Sequence, residues 1–111
     1  MRWFERLRRT GEIAFVRKRG RHVALPTLSA YGVGASADGS TQICVSVSKA
    51  VGGAVVRNRA RRRVRGALEA IARPSRNVRI LFVLKPAAAT VPFGRLAADV
   101  AAAIDRLAVA P

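Results

Sequence analysis

The sequence predicts an α+β fold in a single domain spanning residues 1–111. Helix-terminus signals and helical apolar periods mark three helices, and alternating or continuously apolar runs mark the strands between them. Half of the 111 residues are hydrophobic, which is sufficient for a modest core. With a short third strand near the turn-rich residues 34–40, the element order is αβββαβα.

The first helix is expected over residues 10–19. Thr10 is suited to the N-cap, because its hydroxyl can accept a hydrogen bond from an unpaired backbone N–H, and Glu12 lies in the first turn. The residues just before Gly20 are basic, as the helix dipole favours at a C-terminus, and glycine commonly follows a helix.

Two strands are expected in the first half of the chain. Residues 42–48, QICVSVS, alternate between apolar and small polar side chains, so one face of this strand is apolar and the other polar. Residues 27–33 place Thr27, Ser29 and Tyr31 on one face in the same way. The predicted sheet therefore has one apolar face and one small-polar face, and the second is open either to a ligand or to solvent alone.

The second half of the chain is expected to form a helix at 55–72, a strand at 78–84 and a helix at 93–109. Pro74 ends the first of these helices, because proline cannot continue the hydrogen-bond ladder. The strand VRILFVL shows little alternation, which predicts burial on both faces. The last helix has an apolar stripe whose members are Phe93, Leu96, Val100, Ile104 and Leu107.

Composition indicates a polyanionic partner. The chain has 21 Lys and Arg against six Asp and Glu, a net charge of +15, and all but three of its basic residues are arginine. Arginine suits bidentate contacts to phosphate and stacking on bases. The sequence shows neither a long apolar run nor a secretory signal, and its single cysteine, Cys44, has no partner for a disulfide. A cytoplasmic location is expected.

Six arginines fall within residues 57–65. On a helix an apolar stripe passes through them, and its members are Val56, Ala60, Val64, Ala67, Leu68 and Ile71. The opposite side has Asn58, Arg59, Arg62 and Arg65, and the flanks have Arg57, Arg61 and Arg63. Like charges one turn apart cost about 0.2–0.5 kcal/mol per pair, a repulsion that a bound anion would offset. Since the Ala- and Val-rich stripe does not suit membrane insertion, nucleic acid is the favoured partner.

The sequence contains no recognisable catalytic constellation. His22 is the only histidine and lies in a basic, turn-like stretch, where a surface position is expected. The six carboxylates are scattered along the chain, so neither an acid–base pair nor a metal cluster is predicted. Cys44 lies between strand residues and is expected to be half-buried rather than nucleophilic.

Residues 46–67, SVSKAVGGAVVRNRARRRVRGA, closely resemble the signature of the bacterial ribonuclease P protein subunit. The family pattern has Ser-Val-Ser-Lys-Lys, a glycine, Ala-Val-x-Arg-Asn-Arg-x-Lys-Arg, two variable residues and Arg. The matching positions are Ser46, Val47, Ser48, Lys49, Gly52, Ala54, Val55, Arg57, Asn58, Arg59, Arg62 and Arg65. Arg61 stands where the family usually has the lysine that follows Arg-Asn-Arg-x, and Ala50 stands where it has the second lysine of the Lys-Lys pair.

The resemblance implies a small αβββαβα sandwich, similar in fold to a ribosomal protein domain, with a left-handed βαβ crossover. It also implies binding to a large catalytic RNA and to the 5′ leader of precursor tRNA, while the RNA performs the hydrolysis with Mg²⁺. The residues expected to bind the RNA subunit are Lys49, Arg57, Asn58, Arg59, Arg61, Arg62, Arg63 and Arg65. Those expected to line a leader cleft between the first helix and the sheet are Ile13, Phe15, Arg17, Tyr31, Ser46 and Ser48.

The chain departs from the family pattern in this cleft. Ile13 and Arg17 stand where the family usually has aromatic residues, and Phe15 is expected to replace them in part. The protein itself is not expected to bind a metal ion tightly, to associate with a membrane or to act on a small-molecule substrate. The alternative interpretation is a structural RNA-binding protein of the ribosomal type without a role in tRNA processing.

Overall fold

The computed structural model of the chain describes residues 3–35, 39–74 and 76–108, in which five strands form one mixed sheet. The strands are β1 (Glu5–Arg6), β2 (Arg21–Ala24), β3 (Leu28–Gly34), β4 (Gln42–Ser46) and β5 (Val78–Leu84). The helices are α1 (Thr10–Arg19), α2 (Ala54–Ala70) and α3 (Phe93–Leu107), and short 3₁₀ turns lie at Lys49–Val51 and Pro86–Ala89. The predicted α+β class is confirmed.

The strand order in the sheet is β1-β4-β5-β3-β2. β4 runs parallel to both β1 and β5, whereas β3 is antiparallel to β5 and β2. Because α2 joins the neighbouring parallel strands β4 and β5, the chain contains a βαβ unit. The left-handedness that the resemblance implies for this unit stays a prediction. Most side chains of the central strand β5 are buried, as its lack of alternation predicts.

The two faces of the sheet are covered unequally. Ile43 and Phe82 face the larger core, where α2 and α3 pack against the sheet. α1 crosses the opposite face, where Val16 and Leu81 are buried and Cys44 is only half-buried. The sheet therefore has one closed apolar face and one partly open face, as the alternation of β4 predicts. We call the second one the open face.

Thr27 does not share the open face with Ser29 and Tyr31, so this part of the prediction was wrong. Thr27 precedes β3, is fully buried, and donates a 2.7 Å hydrogen bond from Oγ1 to Oδ2 of Asp99 in α3. The backbone N–H of Thr27 donates to the same carboxylate at 3.2 Å. Because the strand begins only at Leu28, the Thr27 side chain turns toward the helix pair and ties β3 to α3.

The short third strand was predicted near residues 34–40, and this placement was wrong. The strand is β2, which precedes β3 in the chain. β2 is an edge strand in which only Val23 is buried, so its sequence shows no alternating apolar signal. His22 accordingly lies in a strand rather than a turn, and its exposed position is confirmed. β1 was missed because two residues are too few to show a period. Within the turn-rich stretch, residues 36–38 lie outside the described residues.

α1 has the predicted bounds but not the predicted N-cap. Thr10 is the first helical residue, Arg9 holds the N-cap position, and the Arg9 side chain makes no capping hydrogen bond. The φ angle of Gly20 is −73°, so the glycine is not required by a left-handed backbone. It is required by space, since a Cβ here would lie 2.4 Å from the Val16 carbonyl oxygen and 2.9 Å from the Gly32 nitrogen. This close approach lets α1 lead directly into β2.

The apolar stripes of α2 and α3 pack against each other and the sheet. The buried members of the α2 stripe are Ala60, Val64, Ala67 and Leu68. The α3 stripe is buried as predicted except for Phe93, which is 47% exposed because it is the first residue of the helix. Its ring lies at the rim, where a Cβ on Gly66 of α2 would come within 3.8 Å of it.

Candidate nucleic-acid interface

A groove of about 880 Å³ runs between α2 and the β1–β4 edge of the sheet, and we call it the arginine groove. Its α2 wall consists of Val55, Asn58, Arg61, Arg62 and Arg65. Arg6 of β1 and Ile13 of α1 line it from other sides, and residues 44–47 form its floor. An adjoining cavity of about 230 Å³ shares Arg6, Arg61 and Arg65 and adds Arg8.

None of the described residues that line the arginine groove is acidic. Within the described ranges, the ion pair at 4.0 Å joins Arg79 to Glu12, and neither residue lines the groove. The groove arginines therefore have no carboxylate partner in the part of the chain that the structure describes. Uncompensated guanidinium groups on both sides of a concave surface concentrate positive potential there, and that potential attracts polyanions.

Asn58 holds one of these arginines in place. The Nη1 atom of Arg61 donates a 2.8 Å hydrogen bond to Oδ1 of Asn58, one helical turn earlier on the same wall. An arginine held in one orientation loses less conformational freedom when it binds a phosphate. The asparagine of the Arg-Asn-Arg motif thus contributes by positioning a neighbouring guanidinium.

Arg63 is the predicted RNA-binding residue that the fold uses internally. Its Nη1 atom donates a 2.8 Å hydrogen bond to the carbonyl of Ala88, and its Nη2 atom donates to the carbonyl of Val91. The half-buried side chain therefore ties α2 to the segment that precedes α3 and points away from the arginine groove.

The other predicted RNA-binding residues lie outside the groove. Arg59 is exposed on α2, and Lys49 is exposed in the 3₁₀ turn before it. Arg57 is half-buried, and its Nε atom is buried without a hydrogen-bond partner among the described residues. The structure thus brings four of the eight predicted residues together in the groove and leaves three on neighbouring surface, with Arg63 used internally.

The open face begins where the arginine groove meets α1. Ile13 lines the groove beside Ser46, and Arg17, one turn later on the same side of α1, has its guanidinium carbon 5.6 Å from the centre of the Tyr31 ring. Tyr31 and Cys44 lie in one row across the sheet, on either side of Leu81. The predicted cleft residues Ile13, Arg17, Tyr31 and Ser46 therefore border one continuous surface.

Phe15 and Ser48 lie apart from this surface. Phe15 is 47% exposed on the other flank of α1, where the Arg79 guanidinium lies 5.5 Å from its ring centre and also meets Glu12. Ser48 follows the end of β4 and is exposed beside the 3₁₀ turn. Phe15 thus lies on a different flank of α1 from Ile13, and its expected part in the leader cleft stays a prediction.

Sequence reasoning missed three residues that lie at the candidate interface. Arg6 and Arg8 face α2 from the start of the chain, and the signal for them was the run of arginines around Leu7, which is 1% exposed. His22 stacks on Tyr31 with ring centroids 4.5 Å apart and an interplanar angle of 11°. Only the antiparallel register of β2 and β3 makes these two rings neighbours.

The described residues contain no group of three or more His, Cys, Asp or Glu side chains that could hold a metal ion. Cys44 is half-buried at the groove floor, and burial raises the pKa of its thiol, while the nearby Arg6 guanidinium lowers it to a smaller extent. Its thiolate is therefore disfavoured. Among the described residues, no helix is long and apolar enough to span a membrane.

A family model described as Ribonuclease P matches residues 1–108. The chain belongs to this family. The Ribonuclease P protein component of Acidothermus cellulolyticus is 40% identical over 105 residues, which cover 92% of this chain and 87% of that protein. The Ribonuclease P protein component of Gluconacetobacter diazotrophicus is 41% identical over 68 residues, which cover 61% of this chain and 59% of that relative. The family predicted from residues 46–67 is confirmed.

Solved structures of ribonuclease P proteins share the fold. The Staphylococcus aureus RNase P protein aligns with a TM-score of 0.81 at 19% identity, over 94% of this chain and 97% of that one. The Thermotoga maritima RNase P protein aligns with a TM-score of 0.74 at 17% identity, over 92% and 96% of the two chains. At such low identities the likeness shows the architecture alone, so the roles of individual residues rest on the geometry described above.

Proposed function

We propose that this chain is the protein subunit of a ribonuclease P, the endoribonuclease that removes the 5′ leader of precursor tRNA. The exposed side of α2 and the arginine groove bind the backbone of the RNA subunit, and the open face beside α1 receives the leader. One observation carries the proposal: five arginines from two segments distant in sequence line the arginine groove and its adjoining cavity, in which no described lining residue is acidic. Those arginines are Arg6, Arg8, Arg61, Arg62 and Arg65.

This arrangement suits the phosphate backbone of a folded RNA better than the edges of its bases. Arg61, Arg62 and Arg65 project from one rigid helix, and phosphate contacts of this kind fix the register of a protein on RNA without reading much sequence. The half-buried side chains of Val45 and Val47 at the floor lower the polarity beneath the guanidinium groups, which strengthens the attraction of those groups to anions.

The open face suits a single strand. Aromatic rings that stack on bases, together with cations that contact phosphates, bind single-stranded nucleic acid with little sequence preference. The Tyr31 ring and the Arg17 guanidinium, whose carbon lies 5.6 Å from the ring centre, bring an aromatic surface and a cation together on this face. Such tolerance fits leaders whose sequences differ from one tRNA to the next.

We assign the hydrolysis to the RNA subunit and place the Mg²⁺ ions that it requires mainly on RNA. The described carboxylates are dispersed, and the one in an ion pair, Glu12, is bound to Arg79 outside the groove. The protein contributes binding energy and substrate alignment. We expect the assembled enzyme to work in the cytoplasm.

The test is reconstitution. The purified chain with the cognate RNA subunit and Mg²⁺ should convert precursor tRNA to a product with a mature 5′ end, and the chain alone should not. A structural RNA-binding protein of the ribosomal type, the alternative function, would bind RNA through the same groove yet leave leader removal by the RNA subunit unchanged. RNA-free protein that cleaved at the correct site would contradict the assignment of catalysis to RNA.

A further inference from the structure

His22 and Tyr31 form a stacked pair at the β2–β3 edge of the open face. Their ring centroids lie 4.5 Å apart, their planes differ by 11°, and the two residues are direct partners in the antiparallel register. Tyr31 is half-buried against the small cluster that contains Val16 and Leu81, whereas His22 is exposed. The imidazole is therefore the outer ring of the pair.

Positive charge lies beside this pair without a competing acid among the described residues. The guanidinium carbon of Arg17 is 5.6 Å from the Tyr31 ring centre. Within the same ranges, neither Arg17 nor His22 forms a hydrogen bond or an ion pair with another side chain, so the guanidinium and both imidazole nitrogens remain available to a ligand. An aromatic face beside an unpaired cation is the combination that binds a base together with its phosphate.

The stack determines which ring a base meets. Since His22 covers one face of Tyr31, a base that approaches this face from solvent contacts the imidazole first. Tyr31 in turn holds the imidazole in one plane, which lowers the entropy lost when a base stacks on it. The aromatic surface of the open face thus extends from β3 onto the edge strand β2.

We propose that His22 is a leader-binding residue whose imidazole stacks on one unpaired base of precursor tRNA. Tyr31 acts as a positioning residue for the imidazole, and Arg17 contacts the phosphate next to that base. Purines are favoured at the contacted position, because they offer the larger ring surface for stacking. This inference rests on the proposed function and deepens it, since it assigns direct base contact to a residue of β2.

The test uses holoenzyme assembled from the RNA subunit and wild-type protein, His22→Ala, His22→Ser or His22→Phe. Lys18→Ala is the control, because Lys18 is an exposed cation in the last turn of α1 and is not a member of the stacked pair. The substrates are precursor tRNAs with 2-aminopurine at successive leader positions, and mature tRNA without a leader. Stacking quenches the fluorescence of 2-aminopurine, so the signal reports the contact itself.

With wild type, His22→Phe and Lys18→Ala, we expect quenching at one leader position. His22→Ala and His22→Ser should lose that quenching and bind precursor at least about five-fold more weakly, with unchanged affinity for mature tRNA. If His22→Ala or His22→Ser folds and retains full quenching and affinity, the role of His22 is overturned, whereas the proposed function is not. A wild-type holoenzyme that failed to prefer precursor over mature tRNA would overturn the proposed function as well.

Discussion

Asn58 and Arg61 are joined by a 2.8 Å hydrogen bond between Oδ1 of the asparagine and Nη1 of the arginine, on the wall of the arginine groove. Asn58→Ala should therefore weaken binding of the RNA subunit although the charge is unchanged, because the Arg61 guanidinium becomes free to rotate. The free energy of unfolding should change by only roughly 0.5 kcal/mol, since both groups face solvent. A double-mutant cycle with Arg61→Ala measures the coupling, and strictly additive decreases in affinity would show that Asn58 acts independently.

The groove arginines should dominate the salt dependence of RNA binding. Arg62→Ala and Arg65→Ala each remove one guanidinium from the groove, so the slope of log K against log salt should decrease by about one for each phosphate that the variant no longer neutralises. Arg106→Ala, on the exposed side of α3, removes the same charge from a position that does not line the groove and serves as the control. Equal slopes for all three variants would indicate a general charge effect rather than a docking site.

Arg63 should affect stability rather than RNA affinity. Arg63→Ala removes the hydrogen bonds to the carbonyls of Ala88 and Val91, which should lower the free energy of unfolding by about 1–3 kcal/mol. Arg62→Ala, the adjacent exposed position, should leave stability nearly unchanged. Urea unfolding of both variants makes the comparison, and RNA titration of the folded Arg63→Ala protein should give wild-type affinity. A stable Arg63→Ala protein with reduced affinity would place Arg63 at the RNA interface instead.

Two glycines, one in the first turn of α1 and one directly after its last turn, should respond oppositely to the same substitution. A Cβ at Gly20 would lie 2.4 Å from the Val16 carbonyl oxygen, so Gly20→Ala should cost about 1–3 kcal/mol through a forced backbone shift. A Cβ at Gly11 has no neighbour within 4 Å, so Gly11→Ala should stabilise the helix by about 0.5–1 kcal/mol. Thermal unfolding of both variants, compared with wild type, measures the two changes in stability. A Gly20→Ala protein as stable as wild type would mean that α1 and β3 can separate at no cost.

The thiol of Cys44 should react slowly. Burial raises its pKa, so the reactive thiolate forms only at higher pH than in an exposed cysteine, and alkylation by iodoacetamide should accelerate later in a pH titration. Because the pKa of this thiol is higher in the folded chain than in the unfolded chain, the free energy of unfolding falls as pH rises from the unfolded pKa to the folded pKa. Arg6→Gln removes the opposing cation and should shift the titration further upward. A faster reaction in Arg6→Gln would show that the arginine acts by covering the sulfur.

Local sequence determined α1, α2 and β5. α1 has charges of the appropriate sign at each end and a glycine after it, α2 has a continuous apolar stripe, and β5 is a largely apolar run. The side of α2 that faces the core was also determined locally, because the 3.6-residue period fixes the direction of each side chain around the helix axis. The Arg-Asn-Arg motif was sufficient to indicate the family.

Only the tertiary structure decided which of these side chains meet. Arg6 faces Arg65 because parallel pairing brings β1 beside β4, and His22 meets Tyr31 through the register of β2 and β3. Arg61 and Arg63 both flank the apolar stripe, yet one lines the groove and the other bonds to Ala88 in the segment after β5. A period gives the direction of a side chain around its own element. The partner it finds there depends on elements distant in the chain, whose placement is set by packing and strand pairing.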